Sequence, residues 1–214
     1  MMGLLLGLFG VLLIDVWIGG PLSKLDGNVA TRMNRVDVSH PLIVDAARWA
    51  TVLGSTPVLV PMVFATSLYS LLVQHRRRQG LFVIATAVGG LIVNNAIKLV
   101  VGRNRPAVAN AVAHAAGKSF PSGHAMNSAV IYGALLVVAM WNVRVPRRRW
   151  ALTAGALLLV GLIAASRVVL VVHYITDVVA GVSLGAALVI ISVKAFTRPS
   201  ITSHRIWIEP ESPR

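Results

Sequence analysis

Two histidines, an aspartate and three basic residues stand at spacings that could carry out one reaction. Pro121-Ser122-Gly123-His124 reads as a helix start, with Ser122 as N-cap and Gly123 letting the backbone approach a ligand closely. The free amides of such a first turn, at the positive end of the helix dipole, form an anion site. His124 lies in that turn, placed to donate or accept a proton. His173 and Asp177 are four residues apart, on one helix face, and can pair. A carboxylate on one imidazole nitrogen fixes the tautomer and leaves the other nitrogen free to attack. Lys98 and Arg105 are seven apart, about two helical turns, so both can point into one cavity. Arg105-Pro106 is expected to end that helix, because the residue before proline is pushed out of the α region. Arg167 follows Ser166 at the end of a later apolar segment.

This set meets the needs of phosphoryl transfer. Cations and backbone amides neutralise the phosphoryl oxygens that carry charge in the transition state. One histidine can attack in line, and His124 can protonate the departing oxygen. Arginine and lysine supply the positive charge, so no metal or other cofactor is expected. Asp177 is the one acid expected at the site. In the same stretch, Arg103 and Lys118 read either as further phosphate or headgroup contacts or as solvated groups, and His114 reads as a structural interfacial residue.

The elements that position these residues are expected to be membrane helices. The chain has 214 residues, 56% hydrophobic and 13% charged, with a mean hydropathy of +0.76. That excludes an ordinary soluble domain. The absence of cysteine excludes disulfides, thiolate nucleophiles and Cys-based metal sites. The net charge of +13 is gathered in clusters such as Arg76-Arg77-Arg78 and Arg144 with Arg147-Arg148-Arg149, between apolar runs. That is the pattern of cytoplasmic loops, not of nucleic-acid binding. The fold class is all-α, a polytopic bundle of six transmembrane helices at about 1–20, 51–74, 81–101, 125–143, 150–165 and 174–193. Residues 21–36, with Leu22, Leu25, Val29, Met33 and Val36 at helical steps, and residues 42–53 read as peripheral helices on the outer side.

Asp15 interrupts the first apolar run, which lacks the basic start and cleavage site of a signal peptide and is expected to be retained. Trp49, Trp141 and Trp150 suit interface belts, and Gly181-x-x-x-Gly185 suits close helix packing inside the bundle. Residues 1–199 are expected to form one domain and 200–214 a polar cytoplasmic tail. Both termini are then cytoplasmic, and every site residue falls at the outer face of what is expected to be a bacterial plasma membrane.

Lys98-x6-Arg105-Pro106, Pro121-Ser122-Gly123-His124 and Ser166-Arg167-x5-His173-x3-Asp177 together resemble the three-part signature of the type 2 phosphatidic acid phosphatase superfamily. The resemblance implies a phosphohistidine at His173 oriented by Asp177, with His124 as acid and then base. It also implies a phosphate held by Lys98, Arg105, Ser122, Gly123 and Arg167. Metal-independent action on a lipid phosphate follows, with membrane lipids as surroundings, no nucleic acid and no obligatory protein partner. A polyprenyl (undecaprenyl or decaprenyl) diphosphate is the substrate expected first. Phosphatidylglycerophosphate or phosphatidate is the alternative, ahead of a vanadate-dependent peroxidase or a non-catalytic lipid transporter.

Overall fold

Proline and glycine set most of the helix boundaries in a computed structural model of the chain, which describes residues 1–108, 113 and 115–197. The helices are α1 (Met2–Ile18), α2 (Pro21–Ser39), α3 (Pro41–Val52), α4 (Thr56–Leu68), α5 (Arg77–Val101), α6 (Gly123–Asn142), α7 (Pro146–Val169) and α8 (Ile175–Thr197), with a π-helical stretch Tyr69–Val73 extending α4. Prolines stand in the first turns of α2, α3, α4 and α7, where their missing N–H costs nothing. Gly102 closes α5 in the left-handed conformation (φ 61°), its N–H returning to the Lys98 carbonyl. Among the described residues there is no strand.

Among the described residues, five helical segments are long and apolar enough to cross a bilayer: residues 41–73 taken together, α5, α6, α7 and α8. Residues 2–18 and 21–36 of α1 and α2, bent by 81° at their break, pass the same test only when taken together, and count as a sixth if the pair is one broken span. The short helix expected at 42–53 is α3, and it runs on with α4 and its π-helical end in a 33-residue apolar stretch. The bend after α1 has a local cause. The Asp15 carboxylate, buried, accepts hydrogen bonds from the amides of Leu22 (3.2 Å) and Ser23 (2.8 Å) and from the Ser23 hydroxyl (3.0 Å). It caps the start of α2 from the preceding helix.

Helix α6 runs through the centre, packed against α5, α7 and α8. Met126, Val130 and Ile131 of α6 join Leu59, Ile163 and Leu184 in its core. The α6–α8 seam is close because α8 carries glycine there. A Cβ on Gly181 would lie 2.8 Å from the Ser122 carbonyl oxygen, and one on Gly185 2.8 Å from that of Met126. The expected small-residue stripe thus packs inside the bundle. Helix α1 lies along α8, with Leu12 buried against Phe120 and Ala180. Outward faces carry exposed apolar side chains such as Trp17, Phe64, Leu91, Trp150 and Leu157, as a lipid-facing surface requires.

Candidate active site

Four helix ends meet at one end of the bundle: the C-termini of α5 and α7 and the N-termini of α6 and α8. Ser122 occupies the N-cap of α6 with an extended backbone (ψ 114°), and its N–H donates to the Asp177 carbonyl at 2.9 Å. Its side chain is fully buried, and the hydroxyl has no hydrogen-bond partner among the described residues; the same holds for Nε of Arg167. Buried polar atoms left without partners are costly, which marks both as ready to receive one. Arg167 is otherwise anchored by a hydrogen bond from Nη1 to the Thr51 hydroxyl. Lys98 Nζ donates to the carbonyls of Lys118 and Pro121, both at 2.8 Å, and so fastens the loop that leads into α6. A Cβ on Gly123 would come within 3.4 Å of the Asn94 amide nitrogen and 3.9 Å of Lys98 Cε.

His173 sits on the turn between α7 and α8. Its N–H and that of Val172 both return to the Arg167 carbonyl, at 3.3 and 3.2 Å, and Val171 within the turn has φ 50°. Leu170 and Val172 are buried against Val44 and Ala47 of α3, which clamps the turn from outside. The two ring nitrogens then meet different neighbours. Nδ1 lies 3.4 Å from Asp177 Oδ2, and Nε2 lies 3.0 Å from Arg105 Nη1. A guanidinium can only donate. Nε2 therefore carries the lone pair, and Nδ1 carries the proton facing the carboxylate. This is the tautomer that nucleophilic attack from Nε2 needs. Burial first of all, with the Arg105 and Arg167 charges adding to it against the pull of Asp177, pushes His173 from the ordinary 6.5 down to about 4.

Arg105 is fixed by three loop carbonyls: Val172 (2.8 Å), Gly117 (3.0 Å) and Ala116 (2.9 Å). On α6, the His124 imidazole is within electrostatic reach of Arg167, His173, Arg105 and Lys98. A Cβ on Gly54 would lie 3.4 Å from its Cδ2, which puts the α3–α4 connection beside that ring. The structure thus brings together Lys98, Arg105, Ser122, Gly123, His124, Arg167, His173 and Asp177 from four helices and their connections.

Three details differ from the sequence expectations. Helix α5 ends at Val101, not at Arg105, because Gly102 takes the left-handed cap; Arg105 reaches the site from the following loop. His173 precedes α8 rather than opening it, and Asp177 pairs with it from the first turn while also accepting the Tyr174 N–H at 3.0 Å. Asp177 is not the only acid present. Asp26 of α2, buried, lies one bond away through Arg103.

Arg103 is no solvated group. It donates to Asp177 Oδ1 (2.6 Å), Asp26 Oδ2 (2.8 Å) and the Thr176 hydroxyl (2.7 Å), and it stacks 4.1 Å over the Tyr174 ring. Against the cost of burial, the Asp177 and Asp26 carboxylates hold its guanidinium above the usual range. Asp26 also accepts the Thr176 N–H (3.2 Å) and the Thr176 hydroxyl. A signal for Asp26 was present in the sequence: it stands four after Leu22 and three before Val29, on the apolar face of its helix. Lys118 is exposed and donates to Asn104 at 3.2 Å. His114 and residues 200–214 lie outside the described residues. Among those described, no three His, Asp or Glu side chains are grouped to hold a metal ion.

A membrane-spanning helix bundle with histidines, arginines and a lysine converging at one end has the fold and site of an integral-membrane phosphatase. Residues 78–200, more than half of the chain, match the PAP2 superfamily, and the protein belongs to that family. It is 30% identical over 162 residues to phosphatidylglycerophosphatase B of Bacillus subtilis (strain 168), covering 74% of this chain and 77% of that one. It is also 30% identical over 128 residues to lipid A 1-phosphatase of Rhizobium johnstonii, where it spans 48% of the relative's length. The fold agrees with the crystal structure of a transmembrane PAP2 type phosphatidylglycerolphosphate phosphatase from Bacillus subtilis. The TM-score is 0.84, over 95% of this chain and 98% of that one, at 23% identity.

Proposed function

We propose that the protein removes a phosphate from a lipid headgroup through a phosphohistidine, with phosphatidylglycerophosphate as the first candidate substrate. The observation that carries the mechanism is the pair of contacts on His173. Asp177 takes the Nδ1 side and Arg105 faces Nε2. The Nε2 lone pair forms a bond to phosphorus as the bond from phosphorus to the lipid oxygen breaks, and His124 gives that oxygen a proton. Phosphorylated at Nε2 and protonated at Nδ1, the His173 ring is cationic, and Asp177 stabilises it. His124, now basic, takes a proton from water, whose oxygen attacks phosphorus and returns the P–N electron pair to His173. Lys98, Arg105, Arg167, the Ser122 hydroxyl and the Gly123 amide hold the phosphoryl oxygens. These cations neutralise the phosphoryl charge that a metal would otherwise neutralise, so the reaction runs without one.

A lipid substrate is supported by an apolar groove of about 430 Å³ between α4, α5 and α6, lined by Leu59, Phe64, Val88, Leu91 and Val130 among others. Its lining includes Thr56 and Asn127, the latter one turn along α6 from His124, and its apolar walls suit hydrocarbon chains. Both relatives are named for a phosphate on a lipid other than a polyprenyl diphosphate, and the one with the longer match is named for the glycerolipid phosphatidylglycerophosphate. The site lies at the end of the bundle opposite the basic clusters, which supports a location at the outer face of a bacterial plasma membrane with both termini inside.

Purified protein given phosphatidylglycerophosphate, phosphatidate and a polyprenyl diphosphate, with phosphate release measured, tests this reading. Release is expected to be fastest from phosphatidylglycerophosphate and to persist in EDTA. His173→Ala is expected to abolish turnover, and His124→Ala to lower it by about 10²–10⁴. Full activity in His173→Ala would sink the mechanism, and faster release from the diphosphate would reverse the order of substrates.

A further inference from the structure

Outside the motif residues, one buried cluster of charge remains without a role: Asp26 and Arg103. Helix α2 crosses the site end and inserts the Asp26 carboxylate beside the first turn of α8, where Thr176 supplies both its N–H and its hydroxyl. The two arms of the Arg103 guanidinium are divided between carboxylates, Nη1 on Asp177 and Nη2 on Asp26. Three ionised groups, two negative and one positive, are thus enclosed together. Asp177 is fully buried, and the side chains of Arg103 and Asp26 are 12% and 3% exposed.

The division has an electrical consequence. Were Asp177 alone with Arg103, the guanidinium would neutralise it, and a neutralised carboxylate does little for a cation forming on His173. With Asp26 taking the other arm, the triad keeps one net negative charge. The remaining Asp177 oxygen, Oδ2, is turned to His173 Nδ1 and the Tyr174 N–H. We infer that Asp26 and Arg103 form a positioning pair: Asp26, supplied by the N-terminal helix α2, draws on Arg103 so that Asp177 stays oriented and negatively charged when His173 becomes cationic. The inference rests on the phosphohistidine reading above, since only there does the ring take a positive charge.

The pair predicts a specific kinetic signature. Neither residue meets the phosphate, so binding should be spared while the step that charges His173 slows. Asp26→Asn is nearly isosteric; it removes the charge and turns one accepting oxygen into a donating NH2. It is expected to lower kcat by about tenfold while KM stays within about twofold. Asp26→Glu, which restores the charge, is expected to recover most of that loss. The acid limb of kcat/KM should also move to lower pH in Asp26→Asn, because a weaker negative field makes His173 less basic. The groups facing His173 are Asp177, Arg105, Arg167 and His124, and all are unchanged in that variant.

The experiment measures kcat, KM, the pH profile and the thermal midpoint of detergent-purified wild type, Asp26→Asn, Asp26→Glu, Asp26→Asn/Arg103→Gln and His173→Ala on a lipid phosphate. A kcat loss in Asp26→Asn, relieved in Asp26→Glu and in the double variant, supports the inference, because both restore the net charge of the triad. Unchanged kcat in Asp26→Asn, or equal losses in Asp26→Asn and Asp26→Glu that follow the thermal midpoint, overturns it. Should Asp26→Asn not purify, the double variant decides: kcat within about tenfold of wild type supports the inference, and a larger loss overturns it. Activity retained in His173→Ala would instead strike the underlying mechanism, so the two failures are distinguishable.

Discussion

Removing the Arg103 guanidinium leaves the carboxylates of Asp26 and Asp177 buried without a cation between them. Breaking a buried pair in this way costs about 3–5 kcal/mol, so Arg103→Ala is expected to lower the thermal midpoint sharply as well as activity. Protonation of His173 gives a second residue-level test. Its folded value of about 4 lies below the ordinary 6.5, so the imidazole is neutral through the physiological range. Between those values the unfolded chain binds more protons than the folded one, and stability rises with pH across the window. The contribution is complete above about 6.5 and is lost as pH falls toward 4. Chemical denaturation at a series of pH values should show that slope, and His173→Asn should flatten it. A second consequence is that the acid limb of kcat/KM belongs well below pH 6.5 in the wild type.

The α6–α8 seam is the element on which the site's geometry turns. Ser122 and Asp177 are joined across it by a backbone hydrogen bond of 2.9 Å. Gly181→Ala would drive a methyl group into the Ser122 carbonyl, so α8 must shift and carry Asp177 with it. Overpacking of this kind costs about 1–3 kcal/mol; Gly181→Ala is expected to lose more activity than Gly185→Ala, whose clash is with Met126 deeper in the bundle. Assay and melting of both variants decide it. At this scale the sequence was informative where apolar runs are long: α5 to α8 appear where long apolar stretches placed them, because the bilayer thickness dictates their length. It was less informative at helix ends. Gly102, a cap visible only as one glycine, outweighed the proline signal at Arg105-Pro106 and moved Arg105 from a helix to a loop. The motif residues were legible because each stands at a short fixed spacing from its partners along the chain, even where the motif crosses a helix end. The Asp26–Arg103 bond joins residues 77 positions apart, and no local pattern encodes such a pairing.

For the molecule as a whole, the site end and the basic end are separated by the length of the helices. Arg77 and Lys98 stand at opposite ends of α5, about 30 Å apart at 1.5 Å per residue. The proposed outward orientation can be read with one cysteine, because the natural chain has none. Lys118→Cys, on the exposed loop, should react with a membrane-impermeant thiol reagent in intact cells; labelling only after the membrane is opened would invert the orientation. The fold-back at Asp15 bears on what may be cut away. The family match begins at residue 78, yet α1 covers Phe120 and Ala180, and α2 ties Thr176 through Asp26. A fragment lacking residues 1–40 keeps every motif and loses the strap across them. Such a fragment is expected to enter the membrane and to release no phosphate from a lipid, so the stretch that carries the motifs is smaller than the machine that works.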